Sequence, residues 1–250
     1  MRKFYFAPCL LFSLACHAQQ YNATAFNHKI KTLRIFLDKN HYSPLRWNDS
    51  ASLLLYNRWM NILDDDKMYF TKTDIDVLGA YKTKLDDEMN GGEMSFFNKS
   101  IQLYKKAVRL TDSLQKLVLA KPADFSKPDA LHYPFTDYAV SNAELQQRLV
   151  KLTKWRILHS IAVQNDSNEN AADNTLKMPV DFAVKEIKAR EKLKHQHEIN
   201  IKESLVNNTG FEEEMDDKYL QAISWCYDPH TQYMNLAEKK GFETELSGFE

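Results

Sequence analysis

Six glycines and seven prolines in 250 residues restrict what this chain can fold into more than any other feature. Barrels, sandwiches and doubly wound sheets use glycine at tight turns and close backbone approaches. A chain this poor in both residues is expected to be all-α, a set of long amphipathic helices with few connections. Hydrophobic residues at 44% and charged residues at 27% fit a packed core rather than a disordered chain. The 33 Lys and Arg nearly balance the 34 Asp and Glu, for a net charge of -1. No stretch interleaves basic with aromatic residues along a groove-like pattern, so nucleic acid is not an expected partner.

The apolar spacing places the helices. Phe26, Ile30, Leu33 and Leu37 recur at the helical period, predicting a first helix over 21–39, which His41-Tyr42-Ser43-Pro44 should end. Asn48, Asp49 and Ser50 offer N-caps for a second helix carrying Leu54, Leu55, Trp59 and Ile62. Asp64, Asp65 and Asp66 oppose the macrodipole at its C-terminal end and mark its stop. Thr71 with Asp74 reads as a capping box for a third helix carrying Ile75, Leu78, Leu85 and Met89, closed by Gly91-Gly92. A fourth helix is expected over 95–120, then a connector punctuated by Pro122, Pro128 and Pro134. A fifth starts at Ser141 with Glu144 and carries Leu145, Leu149, Leu152, Trp155 and Ile161. The polar run 164–174 reads as a loop. A charged helix over 180–205 has sparse apolar positions, Phe182, Ile187, Leu193, Ile199 and Leu205, which suggests a largely solvated rod or one awaiting a partner. A last helix is expected over 212–227, with Tyr219 and Ile223 inward. Then Phe242, Leu246 and Phe249 look like the start of a new element.

The N-terminus has Arg2 and Lys3, an apolar run from Phe4 to Ala15, and small residues at Cys16 and Ala18. That is the pattern of a signal peptide over 1–18, and it predicts export to the periplasm. The run is too short to span a bilayer comfortably, and no later segment is long enough to be a transmembrane anchor. A competing reading takes Ser13-Leu14-Ala15-Cys16 as a lipoprotein signal with a lipid anchor on Cys16, although Ser13 stands where leucine is usual. Both readings remain open.

Candidate chemistry is thin. The chain has no G-x-S-x-G elbow, no phosphate-cradling glycine loop and no H-E-x-x-H helix. His195 and His197 are two apart, so on a helix they point to different sides, unlike the i, i+4 pairs that bind zinc. Cys226 with His230 could form a thiol nucleophile and base, but a cysteine between Trp225 and Tyr227 fits a small buried hydrophobe. Asp64-Asp65-Asp66 and Glu212-Glu213-Glu214 lack calcium-loop spacing and read as caps and exposed charge. No catalytic, cofactor or metal residue is assigned, and no cofactor is expected.

Four stretches together resemble one known family. His41-Tyr42-Ser43-Pro44, the segment ILDDDKMYFTKTDID at 62–76, YKTKLDDEM at 81–89 and DPHTQYM at 228–234 resemble, in order and spacing, the N-terminal region of the tail-specific proteases, or carboxy-terminal processing peptidases. The resemblance is good over 37–89 and 219–246 and loose between about 122 and 210. It implies a helical N-terminal domain over 19–236, and over 237–250 a connector and the beginning of a PDZ-like domain. It also implies a role in an exported serine endopeptidase that processes protein C-termini. There the PDZ module captures a substrate's end by strand addition and a lysine activates a serine. Those groups lie downstream of anything matched here, so no serine or lysine of this chain takes that role. Protein substrates and an adaptor protein are the implied partners. The alternative is a free-standing periplasmic interaction module without enzymatic activity.

Overall fold

The computed structural model describes residues 23–127, 129–166, 181–203 and 210–248. Nine α-helices and no strand occur among these residues; a single parallel bridge joins Thr71 to Ala139. The all-α expectation is borne out.

Helix α1 (Ala23–Asn40) turns Phe26, Ile30 and Leu37 into the core. Helix α2 (Asp49–Asp64) starts at Asn48, which has an extended backbone and whose side-chain oxygen accepts the Ser50 and Ala51 N–H groups at 3.0 and 3.2 Å. Its buried stripe is Leu55, Tyr56, Trp59, Met60 and Leu63. The stop at 64–66 differs in cause from the macrodipole reading. Asp65 and Asp66 are exposed, but Asp64 is only 3% exposed. Its carboxylate folds back to accept the Met68, Tyr69 and Phe70 N–H groups, the first at 2.7 Å and the last at 2.8 Å. Lys67, inside this turn, takes a left-handed φ of 55°.

The third predicted helix is two. Helix α3 (Lys72–Gly79) begins as expected, with the Asp74 carboxylate accepting the Thr71 N–H at 3.0 Å and its hydroxyl at 2.7 Å. Tight i to i+3 turns over 78–84 interrupt the helix before α4 (Leu85–Met89). Ser52 of α2 fixes the restart, accepting the Asp86 N–H at 2.8 Å and donating to Asp86 Oδ1 at 2.6 Å. Gly91, at φ 107°, turns the chain toward α5 in a conformation other residues rarely adopt.

Helix α5 (Ser95–Leu119), about 37 Å long at 1.5 Å per residue, is the spine. Its N-terminal half joins the main core, where Phe26, Trp59, Phe97 and Tyr219 pack with ring separations of 4.7 to 6.2 Å. The Trp59 indole N–H donates to Ser100 Oγ at 2.7 Å, so this buried donor is satisfied. Helices α6 (Asn142–Asp166) and α7 (Phe182–Glu203) lie along its C-terminal half over two smaller clusters, one around Leu149 and Leu152, the other around Ile157, Ile161 and Ala189. Helix α8 (Phe211–Tyr227) returns against α2 and α1. The polar stretch expected as a loop from 164 is helical to Asp166, and 167–174 lies outside the described residues.

Helix α7 is less solvated than its composition suggests. Phe182, Ala189 and Leu193 face inward while Ile187 is exposed. The inner stripe is completed by charge: Glu186, buried, accepts the Ala123 N–H and the Arg190 Nε–H, and Arg190 donates to the Leu119 carbonyl at the end of α5. Leu205 lies outside the described residues. The last element, α9 (Leu236–Ser247), buries none of its side chains; Phe242 and Leu246 stand exposed on it. No helix among the described residues is long and apolar enough to cross a membrane. The signal-peptide segment and Cys16 lie outside the described residues.

Candidate functional site

Two of the four family-like stretches meet in space although 186 residues separate them in sequence. Helix α1 ends at Asn40, and His41 folds so that its Nδ1 accepts the Ser43 N–H at 3.1 Å. The same Nδ1 lies 2.9 Å from the Ser43 carbonyl oxygen, and Nε2 faces Thr231 Oγ1 at 3.3 Å. Next along the chain, the Tyr42 hydroxyl donates to Asp228 Oδ2 at 2.6 Å. The other oxygen of Asp228 accepts the His230 N–H at 2.7 Å, closing the turn after α8. The phenol contact holds the Asp228 carboxyl below the usual carboxylate range, with the His230 N–H as the next cause. The same contact holds the Tyr42 hydroxyl up.

Beneath this surface lies a more buried layer. The Tyr227 hydroxyl donates to Asp38 Oδ1 at 2.6 Å and accepts the Trp47 indole N–H at 3.1 Å. Burial first, and then the Asp38 contact, push its ionisation well up. The His41 ring stands edge-on to Tyr227 at 5.6 Å and the Trp47 ring at 6.3 Å. The clasp therefore fastens the end of α1 and the segment leading to α2 onto the last turn of α8.

The chain leaving the clasp is guided as well. Gln221 of α8 donates to the Thr231 carbonyl at 3.0 Å and accepts the Tyr233 N–H at 2.8 Å. Asn235 donates to Asp217 at 3.1 Å and forms a reciprocal cap with Glu238 at the start of α9. Residues 228–235 are thus laid back along α8, and the departure of α9 is set by side chains of the helical body.

The clasp holds hydrogen-bonding and aromatic groups but no activated nucleophile. Cys226 is buried, its S–H donates to the Ala222 carbonyl of its own helix, and burial pushes the thiol up to about 12. It is therefore a thiol at neutral pH, and His230 is exposed on the turn beyond it. His197 faces Asp112 of α5 at 2.9 Å while His195 is exposed, as their spacing requires. Glu212 pairs with Lys105 and Glu214 with Lys218, both near the surface. No group of three or more metal-binding side chains occurs among the described residues. The motif reading found His41, Tyr42, Asp228 and Thr231. It missed Asp38, Trp47 and Tyr227, whose partners lie 180 to 189 positions away, and Gln221, which reaches Thr231 and Tyr233 beyond the end of its helix; neither case leaves a local periodicity to detect.

The family model described as the tail specific protease N-terminal domain matches residues 34–236. That span encloses both halves of the clasp and ends on the first residue of α9. A tail-specific protease of Haemophilus influenzae is 26% identical over 214 residues, which cover 84% of this chain and 28% of that protein. The chain thus spans less than a third of the length of this curated relative. With four-fifths of its residues inside the family match and the clasp built from the motifs that first suggested it, the chain belongs to the family of tail-specific protease N-terminal domains.

Proposed function

We propose that this chain is the non-catalytic helical scaffold and docking region of an exported tail-specific serine endopeptidase that processes protein C-termini. The observation that carries the reading is the clasp. Hydrogen bonds from Tyr42 to Asp228 and from Tyr227 to Asp38, with Gln221 on the outgoing backbone, fix where and in what direction the chain leaves the helical body. A scaffold needs this property, because a following module is positioned only as well as the segment that connects it. The basic-then-apolar segment 1–18 supports export to the periplasm, and the family supports protein substrates. The downstream residues 237–250 are read as the connector into a PDZ-like module, with α9 as its first part.

Two measurements test this. The purified 250-residue chain is expected not to cleave casein; cleavage that persists through repurification and is blocked by serine-directed inhibitors would overturn the assignment of catalysis to another region. In an intact protease carrying this region, Tyr42→Phe with Asp228→Asn is expected to lower kcat/KM on an unfolded protein substrate severalfold while a short peptide is hydrolysed as before. Unchanged turnover of both substrates would remove the positioning role.

A further inference from the structure

The connector after α5 leans against α6 and leaves a groove of about 420 Å³. That volume lies in the range of ligand-binding clefts. Its floor is apolar: Phe125 and Leu131 come from the connector, and Trp155 and Leu158 from one face of α6. Trp155 is 48% exposed and Leu158 44% exposed, and neither is covered by another helix. A half-exposed tryptophan beside an apolar pocket is the kind of residue that dominates protein interfaces.

The rim is cationic. Lys127, Lys151 and Lys154 line it with Asp129, and Asp124 lies close enough to interact with the Lys154 and Lys127 charges, so three lysines meet two acids. Asp129 is shared between Lys151 at 3.2 Å and Lys154 at 3.6 Å, so one carboxylate serves two ammonium groups. The Lys154 ammonium also lies 5.8 Å from the centre of the Phe125 ring, at the edge of cation–π range. Lys127, which is exposed, adds a further positive charge. A basic segment would add to this excess, and a purely apolar one would strip water from ammonium groups that outnumber their carboxylate partners.

We propose that this groove is a docking site for an acidic amphipathic segment of a partner protein. An apolar side chain inserts against Trp155 and Leu158 while flanking carboxylates meet Lys127 and Lys151. This deepens the docking half of the function proposed above, and its test is separate from the cleavage measurements, so failure here leaves the positioning role standing.

The experiment uses two synthetic fluorescein-labelled peptides with the same helical Leu and Phe stripe, one with Glu and one with Lys at every flanking position. Each is titrated by anisotropy against the full 250-residue chain. The Glu peptide is expected to bind saturably, more weakly as salt rises, and the Lys peptide not to bind. Lys127→Glu with Lys151→Glu, the first position exposed and the second partly buried, is expected to weaken the Glu peptide by about tenfold, the equivalent of two surface ion pairs. Trp155→Ala, with helicity checked by circular dichroism, should cost a similar factor. Equal binding of both peptides, no saturable binding of the Glu peptide up to about 1 mM, or unchanged affinity in either variant would overturn the proposal.

Discussion

Glu88 should make the stability of this fold fall as pH rises toward neutrality. It stands on α4, 7% exposed, and its Oε1 accepts the Phe96 N–H at 2.7 Å. It thereby caps α5 from outside that helix, where Met94 at the N-cap position supplies no side-chain acceptor. Its Oε2 is buried with no protein partner. Burial is the largest influence on the carboxyl and raises it from 4.5 to about 7, against the opposing pull of the Phe96, Ser95 and Phe97 N–H groups. The folded state therefore holds this proton more tightly than the unfolded chain. The contribution is fully present below about pH 4.5, is lost progressively up to about pH 7, and stays lost above that. At about 1.4 kcal/mol per pKa unit the whole loss is about 3 kcal/mol, of which about 2 kcal/mol falls between pH 5 and pH 7.5. Glu88→Gln keeps a carbonyl oxygen for the Phe96 N–H and has no proton to lose. Urea unfolding followed by circular dichroism, at about pH 5 and about pH 7.5, should show the wild-type chain losing roughly 2 kcal/mol more than the variant. At the higher pH the variant should be as stable as wild type or more so. Equal pH slopes, or a variant weaker than wild type by 2 kcal/mol or more at about pH 7.5, would mean that the ionised carboxylate stabilises the α5 terminus by more than its burial costs, and the reasoning would fail.

Three further outcomes can be checked. Asp64→Ala strips the acceptor from three backbone N–H groups in the turn after α2, so a loss of about 2–4 kcal/mol is expected from denaturant unfolding. Tyr227→Phe keeps the ring packing but leaves Asp38 and the Trp47 indole without their shared partner; about 1–2 kcal/mol should be lost, with faster amide exchange over 41–47 and 228–233. Cys226, buried and with its thiol held up to about 12, should resist a disulfide reagent at mildly alkaline pH until urea unfolds the chain. Rapid labelling of the native protein would contradict its buried placement.

Much of this architecture was legible locally. Asn48 capping α2 and the Thr71–Asp74 box each lie within a few residues of the groups they satisfy, so their chemistry is written in adjacent positions. The break at 80–84 was not legible, because Leu78, Leu85 and Met89 also suit one straight helix. The anchor that restarts the helix is Ser52, 34 positions earlier. Helix α7 shows the same limit: a count of its apolar residues overlooked Glu186 and Arg190, which become interior groups only because Ala123 and Leu119 lie opposite. For the site, the motifs at 41–44 and 228–231 could be recognised separately, but nothing in either one says that they touch.

By itself the sequence determined helix content, most helix starts, the absence of an evident catalytic motif and the family likeness. Those follow from glycine scarcity, the 3.6-residue period and caps that act over three or four positions. Only the tertiary structure decided that Asp64 and Glu88 are buried acceptors, that Cys226 points into its own helix, and that α1 and α8 are fastened where the chain departs. Desolvation and hydrogen bonds across 186 residues depend on which surfaces meet, and no local pattern records that.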